Sequence, residues 1–117
     1  MKPDIEYNLH DSLITAVLIG PRQEMTISID LYPIYYPGDR KVKLRFGGIV
    51  NFDTVSRFAE KMRSELEEDK ESAWRIDGFQ YDTKVPSSSD NLYFFLQVEV
   101  LGGIRIHCSK MTMNEGE

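Results

Sequence analysis

The chain has 117 residues and a formal net charge of −5, and hydrophobic residues make up 41% of it. This length suits one domain, residues 1–117, that is large enough to bury its own core. The negative charge argues against nucleic acid and anionic membranes as partners, because binding to phosphate depends on Lys and Arg. The chain has one cysteine and no apolar signal segment, which predicts a cytoplasmic protein without an internal disulfide.

Two strands are predicted near the start of the chain. Residues 12–20, "SLITAVLIG", predict a mostly buried strand. Gly20–Pro21 marks a turn after it. Residues 24–32 alternate between apolar and polar side chains, which predicts a half-buried strand.

A loop and a third strand follow. Residues 33–40 contain Pro37–Gly38, a signal for a type II turn. Residues 41–46 alternate again, with their basic side chains on the outer side. If the second and third strands pair antiparallel, we expect Asp30 to lie opposite Lys43.

The hydrophobic period changes to that of a helix over residues 51–70. The apolar side chains of this segment share one stripe, which predicts that the helix packs across a sheet face. The stripe consists of Val55, Phe58, Ala59, Met62 and Leu66. Asn51 or Asp53 is expected to cap the start of the helix through a side-chain oxygen.

Three more strands are predicted after the helix. In residues 73–82 a bulge at Gly78 is needed to return Phe79 to the face of Ile76. Residues 91–100 and 104–109 form a predicted hairpin whose three-residue loop pairs Val100 with Ile104 and Glu99 with Arg105. Residues 112–117 are expected to form a frayed tail.

The order βββαβββ predicts an α+β domain. We expect a mainly antiparallel sheet of about six strands with one amphipathic helix packed on one face.

A candidate ligand site consists of His10, Asp11 and His107. A histidine beside a carboxylate can serve as a general base or as a metal ligand. Neighbours in an extended segment point to opposite sides, however, so His10 and Asp11 are also interpreted as the polar start of the first strand. We favour this structural interpretation and predict no bound metal.

His107–Cys108 suggests a thiol nucleophile. Strand alternation instead places Cys108 inward with Ile104 and Ile106, and His107 outward. A buried cysteine behaves as a small apolar side chain. We therefore expect Cys108 to be inert. No nucleotide-binding or nucleophile motif is present, so no cofactor is predicted.

Two sets of side chains are candidates for binding a partner. Aromatic residues fall on the polar side of a strand (Tyr93, Phe95) and in the loop after the second strand (Tyr35, Tyr36). Exposed aromatic side chains favour protein interfaces, although loops or the N-terminal segment could also cover them. The helix ends in an acidic run that includes Glu67 and Glu68, where the helix dipole disfavours anions. This run is either a solvated helix end or a surface for a basic partner.

The segment "HDSLI", the alternating strand after it, and "LRFGGIVNFD" leading into a helix resemble small uncharacterised bacterial proteins. Some of those proteins are grouped with the immunity proteins of polymorphic-toxin systems. The resemblance spans most of the chain. It implies a cytosolic domain that binds another protein, and it implies no catalytic residue.

Two functions therefore remain as hypotheses. The first is a non-catalytic protein-binding domain, either immunity-like or self-associating into a homodimer. The alternative is a small-molecule binder or enzyme that uses His10, Asp11 and His107 at one sheet edge.

Overall fold

The computed structural model describes residue 5 and the ranges 7–68, 73–82 and 91–115. Seven strands and one helix lie in this part of the chain: β1 (Leu13–Gly20), β2 (Glu24–Asp30), β3 (Lys41–Gly47), α1 (Phe52–Glu68), β4 (Trp74–Tyr81), β5 (Leu92–Val98), β6 (Gly102–Cys108) and β7 (Lys110–Glu115). The strands form one antiparallel sheet in the order β6-β5-β4-β1-β2-β3-β7. The predicted α+β class, with one helix on an antiparallel sheet, is confirmed.

The two edges of the sheet are joined by the chain itself. β6 lies at one edge and β7 at the other, yet only Ser109 separates them in sequence. The N–H of Ser109 donates to the carbonyl of Gly47 on β3 at 3.1 Å, while Cys108 pairs with Leu92 on β5. The sheet therefore curls until its edges meet, and much of its inner face packs against itself.

An aromatic cluster joins the two halves of the curled sheet. β1 pairs with β4 over only two residue pairs, so β4-β5-β6 forms one half and β1-β2-β3-β7 the other. The ring centroid of Phe46 on β3 lies 6.0 Å from that of Phe79 and 5.7 Å from that of Phe94, both in the opposite half. Phe79 and Phe94 stack with centroids 5.2 Å apart. Since burying one such side chain contributes roughly 1.5–3 kcal/mol, the cluster holds the halves face to face.

Helix α1 bridges the same two halves. It contacts β1 in one half and β6 in the other. The predicted apolar stripe is confirmed: Val55, Ala59 and Met62 are buried, and Phe58 and Leu66 pack against the core. The indole N–H of Trp74 donates to the carbonyl of Met62 at 3.1 Å, which ties the helix to the start of β4.

The side chain of Asn51 bonds to β6 instead of capping the helix as predicted. Its Nδ2 donates to the carbonyl of Arg105 at 2.8 Å, and its Oδ1 accepts from the N–H of His107 at 2.9 Å. The N–H of Val50 donates to the carbonyl of His107 at 2.7 Å. These bonds cover backbone groups on the outer edge of β6, which would otherwise be open to pairing with another chain. Asn51 directly precedes the helix, whereas Asp53 lies inside its first turn and therefore does not occupy the cap position.

The predicted register between β2 and β3 is wrong by two residues. Asp30 lies opposite Lys41, and Lys43 lies opposite Ser28. Lys41 Nζ is 2.8 Å from Asp30 Oδ1. A shift by two residues leaves every side chain on the same face, so alternation alone could not detect it.

The β5–β6 hairpin shows the same kind of error. Its loop has three residues, as predicted, but they are residues 99–101. Arg105 therefore lies opposite Phe95 instead of Glu99, and Ile104 lies opposite Leu96 instead of Val100. Val100 is at the loop tip with a φ of +74°.

Bulges occur in both strands that join the halves. The predicted bulge in β4 is confirmed, because the register shifts between Ile76 and Gly78 and places Ile76 and Phe79 in the core. A second bulge in β1, between Ile14 and Ala16, was not predicted. Only Ile14 and Val17 of β1 are buried, so the prediction that the first strand is mostly buried is wrong.

The expected frayed tail is wrong for residues 112–115. These residues belong to β7, which pairs with β3 along its length. Met111 and Met113 face the core from this strand. The remaining residues of the predicted tail, 116–117, lie outside the described residues.

Candidate protein-binding surface

His10 and Asp11 form the turn before β1, and their side chains lie close together. His10 Nε2 is 3.5 Å from Asp11 Oδ2. The expectation that these neighbours point to opposite sides is wrong, because Asp11 has a φ of +66° in a turn and is not extended. The N–H of Asp11 donates to the carbonyl of Ile76 at 2.8 Å, and His10 Nδ1 donates to the carbonyl of Asp77 at 2.7 Å. The pair thus fastens the start of β1 to β4.

His107 lies in a different part of the molecule. Its ring meets that of Tyr93 edge-on, with centroids 4.6 Å apart. The surface concavity beside His10 is lined by residues 77–80 of β4 and by the N-terminal segment, and His107 is not among its described lining residues. β5 separates β4 from β6. The structure therefore brings His10 and Asp11 together but leaves His107 away from them.

Cys108 faces the core, as the alternation predicts. It is fully buried, while His107 beside it is only partly so. Burial raises the pKa of the Cys108 thiol to about 11. The thiol is therefore protonated near neutral pH, and a buried thiol is a poor nucleophile.

Tyr93 and Phe95 lie on the outer face of β5, as predicted. Both are half-buried and alternate with Phe94 and Leu96, which are fully buried. Phe95 lies against β6, because a Cβ atom added to Gly103 would be only 2.5 Å from its ring Cζ. The outer face of β5 thus presents two aromatic rings, one of them pressed against the neighbouring strand.

The two tyrosines of the β2–β3 loop have different surroundings. The hydroxyl of Tyr36 accepts from the N–H of Asn8 at 2.8 Å, and the guanidinium of Arg40 lies 5.4 Å from the Tyr36 ring centroid. The side chain of Tyr36 is therefore engaged in contacts within the protein. Tyr35 is 46% exposed, and its ring meets Tyr32 edge-on with centroids 5.3 Å apart. Tyr35 alone is free to meet a partner.

Glu67 and Glu68 are exposed in the last turn of α1, where no basic residue accompanies them. Arg63 donates to Glu67 Oε1 at 3.1 Å, and this ion pair is exposed. Exposed pairs of this kind contribute little to stability. Asp69 of the acidic run lies outside the described residues.

A cavity of about 530 Å³ opens between the β2–β3 loop and the strand ends beside it. Its lining residues are Asp11, Leu13, Asp30, Leu31, Tyr32, Pro33, Asp39, Arg40, Lys41 and Arg75. The hydrogen bond from Lys41 to Asp30 raises the pKa of Lys41, and Asp39 adds to this effect. The pair formed by Arg40 and Glu115 raises the pKa of Arg40 and lowers that of Glu115.

Three exposed apolar side chains lie at the end of the molecule where this cavity opens, although none of them lines it. Ile34 is 74% exposed, and it stands beside Tyr35 at the tip of the β2–β3 loop. Val100 is 95% exposed. It lies at the same end of the molecule, because the N–H of Glu99 donates at 2.9 Å to the carbonyl of Arg75, which lines the cavity. We call Ile34, Tyr35, Val100 and the cavity the loop-end surface.

Sequence reasoning missed Ile34 and Val100. The sequence did contain a signal for Ile34 as a candidate contact residue, because no other branched aliphatic side chain occurs in the loop "PIYYPGDR". Val100 was hidden by the wrong hairpin register, which placed it in a strand.

The described residues show neither a metal-binding cluster nor a membrane-spanning helix. They contain no group of three or more His, Cys, Asp and Glu side chains placed to hold a metal ion. The helix that these residues form, α1, is not long and apolar enough to cross a membrane.

The comparisons with known proteins name no relative. No protein-family model, no curated protein and no solved structure matches this chain.

Proposed function

We propose that the protein is a non-catalytic protein-binding domain that contacts its partner through the loop-end surface. The observation that carries this proposal is the exposure of Ile34, Tyr35 and Val100 at the end of the molecule where a charged cavity opens. Protein interfaces commonly combine aromatic and aliphatic side chains at the centre with a polar rim. Isolated exposed apolar residues need no explanation, whereas three at one end of the molecule do.

The loop that carries Ile34 and Tyr35 is held in place from both sides. The N–H of Tyr32 donates to Ser12 Oγ at 2.9 Å, and the hydroxyl of Tyr36 accepts from the N–H of Asn8 at 2.8 Å, so two points of the loop are bonded to the segment before β1. A loop that is ordered before binding loses less conformational entropy on association. This favours the loop as a contact element on a rigid scaffold.

The partner is either another protein, as the resemblance to immunity proteins implies, or a second copy of this chain. Both fit an exposed apolar surface with a charged rim. The location expected for such a protein is the cytoplasm.

Affinity capture with purified protein as bait tests the proposal. We compare the wild type with the double variant Ile34→Ser and Tyr35→Ser. Leu18→Ser is the matched control, because Leu18 is 66% exposed on β1, outside the loop-end surface. A specific partner should bind the double variant at least about tenfold more weakly, and should bind the control as it binds the wild type. Equal binding to all three proteins would refute the proposal.

One observation favours the alternative of a small-molecule binder or enzyme. His10 and Asp11 are 3.5 Å apart, and Asp11 also lines the cavity. If a ligand binds there, His10→Ala should abolish its binding in calorimetry, whereas His107→Ala should not. Binding that depends on His107 would contradict a site built on His10 and Asp11.

A further inference from the structure

We propose that the outer face of β3 and β7 binds an extended acidic segment of a partner protein. The surface consists of Lys43 and Arg45 on β3 and Lys110 on β7, with the neutral polar side chains between them, and we call it the basic face. It shares no residue with the loop-end surface. The inference therefore goes beyond the proposed function and does not depend on it.

The three basic side chains share one face because both strands alternate. The apolar residues of β3 are buried, and so are Met111 and Met113 of β7. The residues between them point to the opposite, outer side of the sheet. There Arg45 and Lys110 are exposed, and Lys43 is half-buried.

The neighbours of these cations across the strands are neutral. Arg45 lies opposite Thr26 on β2 and Thr112 on β7. Lys43 lies opposite a serine on β2 and an asparagine on β7. Within the described part of the chain, none of Lys43, Arg45 and Lys110 forms an ion pair. All three charges are therefore available to a ligand.

The one acidic side chain beside the basic face is turned away from it. Glu24 lines a concavity of about 520 Å³ together with Arg45 and Lys110. Its Oε2 would lie 3.7 Å from a Cβ atom built on Gly20, so the carboxylate leans towards β1. Three positive charges against this one negative charge give the face a positive excess, although the net charge of the chain is −5. The excess favours an anionic ligand over a cationic one.

The spacing of the cations fits an extended segment. Lys43 and Arg45 are alternate residues of β3, and Lys110 lies opposite Gly47, which continues the same alternation. Alternate residues of a strand are about 7 Å apart, so the three cations occupy consecutive positions along about 14 Å. An extended peptide spaces its alternate side chains by the same distance. Carboxylates at every second residue can therefore each meet one cation, which a single small anion cannot do.

A short acidic segment suits this face better than a long polyanion. Nucleic acid and anionic membranes extend beyond three cations, and there the net charge of −5 repels them. A protein segment brings a few carboxylates with neutral side chains between them. Thr112 and Asn114 lie between the cations and offer hydrogen bonds to such a segment.

Nuclear magnetic resonance with synthetic peptides tests this inference without knowledge of the partner. The probe is an acetylated and amidated pentapeptide in which three glutamates alternate with two threonines, and the matched control has glutamine in place of each glutamate. We expect the acidic peptide to shift the backbone amides of Lys43, Arg45 and Thr112 at low salt, and the glutamine peptide to shift them far less. Added sodium chloride should reverse the shifts, because it screens exposed charges.

Two double variants with the same change of net charge locate the contact. Lys43→Gln with Arg45→Gln should weaken binding of the acidic peptide about fivefold or more. Arg57→Gln with Lys61→Gln removes two exposed charges from α1, which packs against the inner face of the sheet, and should change the affinity by less than about twofold. Circular dichroism checks that both variants are folded.

The outcomes separate this inference from the proposed function. If the two peptides act alike, or if the two double variants bind the acidic peptide equally, the inference is wrong. If inorganic phosphate shifts the same amides at a lower concentration than the peptide does, the face takes a phosphate group and the acidic segment is refuted. None of these measurements involves Ile34 or Tyr35, so capture can fail while the acidic peptide binds, and the reverse.

Discussion

At the residue scale, Cys108 and His107 show how strand alternation gives two neighbours opposite environments. Cys108 lies in the core, where burial raises the pKa of its thiol, while His107 lies on the outer side against Tyr93. The pair therefore cannot act as a thiol and its base, since their side chains leave β6 on opposite faces.

We predict that Cys108 reacts slowly with thiol reagents in the native protein. Its thiol is both protonated near neutral pH and shielded from solvent. Labelling with a chromogenic disulfide at pH 8 should be slow in buffer and rapid in denaturing urea. Rapid labelling of the native protein would contradict the burial of Cys108.

We also predict that Cys108 makes stability fall at alkaline pH. The folded pKa of about 11 lies above the ordinary value of 9.0, so the unfolded state releases this proton first as pH rises. The contribution of Cys108 to stability is fully present below about pH 9 and is lost through pH 11, by up to about 3 kcal/mol. Urea unfolding of the wild type and of Cys108→Ala at pH 7, 9 and 10.5 measures this. The wild type should lose more stability than the variant over this range, and parallel losses would show that other groups are responsible.

At the element scale, the segment before α1 protects the edge of β6. Val50 and Asn51 bond to backbone groups on the side of β6 that pairs with no other strand of the described residues. The chain reaches this position through Gly48, which has a φ of +60°. The start of the helix and the edge of the sheet are thus stabilised by the same few residues.

Asn51→Ala should destabilise the protein by about 1–3 kcal/mol, because it leaves the carbonyl of Arg105 and the N–H of His107 without their partner. Asn51→Asp keeps the acceptor for His107 but sets a carboxylate oxygen against the carbonyl oxygen of Arg105, so it should destabilise the protein at least as much as Asn51→Ala. Urea denaturation checks the order. If Asn51→Ala left the stability unchanged, the two bonds to β6 would contribute nothing.

Gly48→Ala should be more damaging than Gly38→Ala. Both glycines have a positive φ, so both substitutions strain the backbone. A Cβ atom at Gly48 would also lie 2.1 Å from Ser109 Oγ, whereas nothing lies within 4 Å of one at Gly38. We expect a further loss of about 1–3 kcal/mol at Gly48 in thermal or urea unfolding. Equal losses would mean that Ser109 moves aside freely.

At the scale of the whole molecule, curling leaves one face of the sheet outside. The inner face packs against itself and against α1, so the core needs no second sheet. The outer face of β4, β5 and β6 carries Tyr93 and Phe95. Burial of such rings against a second copy is favourable by roughly 25 cal/mol per Å² of apolar surface, and two-fold pairing is its commonest form.

We predict that the protein self-associates through Tyr93 and Phe95. Light scattering at micromolar concentration should give a mass near twice 13.5 kDa. The double variant Tyr93→Ser with Phe95→Ser should shift this mass towards the monomer without loss of the strand signal in circular dichroism. Leu18→Ser, another change on the outer face, should remain dimeric. A wild-type protein that is monomeric at every concentration tested would refute the prediction.

The side-chain pattern by itself determined the helix and six of the seven described strands, and it determined the inner and outer faces of the strands that alternate regularly. The alternation in β2, β3 and β5 and the stripe of α1 are local properties, because the period of two or 3.6 residues is set by the backbone of one segment. The bulge at Gly78 and the inward position of Cys108 followed from the same rule. So did the outward positions of Tyr93 and Phe95.

Only the tertiary structure decided how these elements meet. The residues that lie opposite Asp30 and Arg105 were predicted wrongly, because a shift of the strand register by an even number of residues preserves the inward and outward faces. The seventh strand and the curl depend on the free edge of β3, which is distant in sequence from β7. The loop-end surface is non-local too, because Val100 and Ile34 belong to different hairpins. They lie at one end of the molecule because Glu99 pairs with Arg75 across β4 and β5.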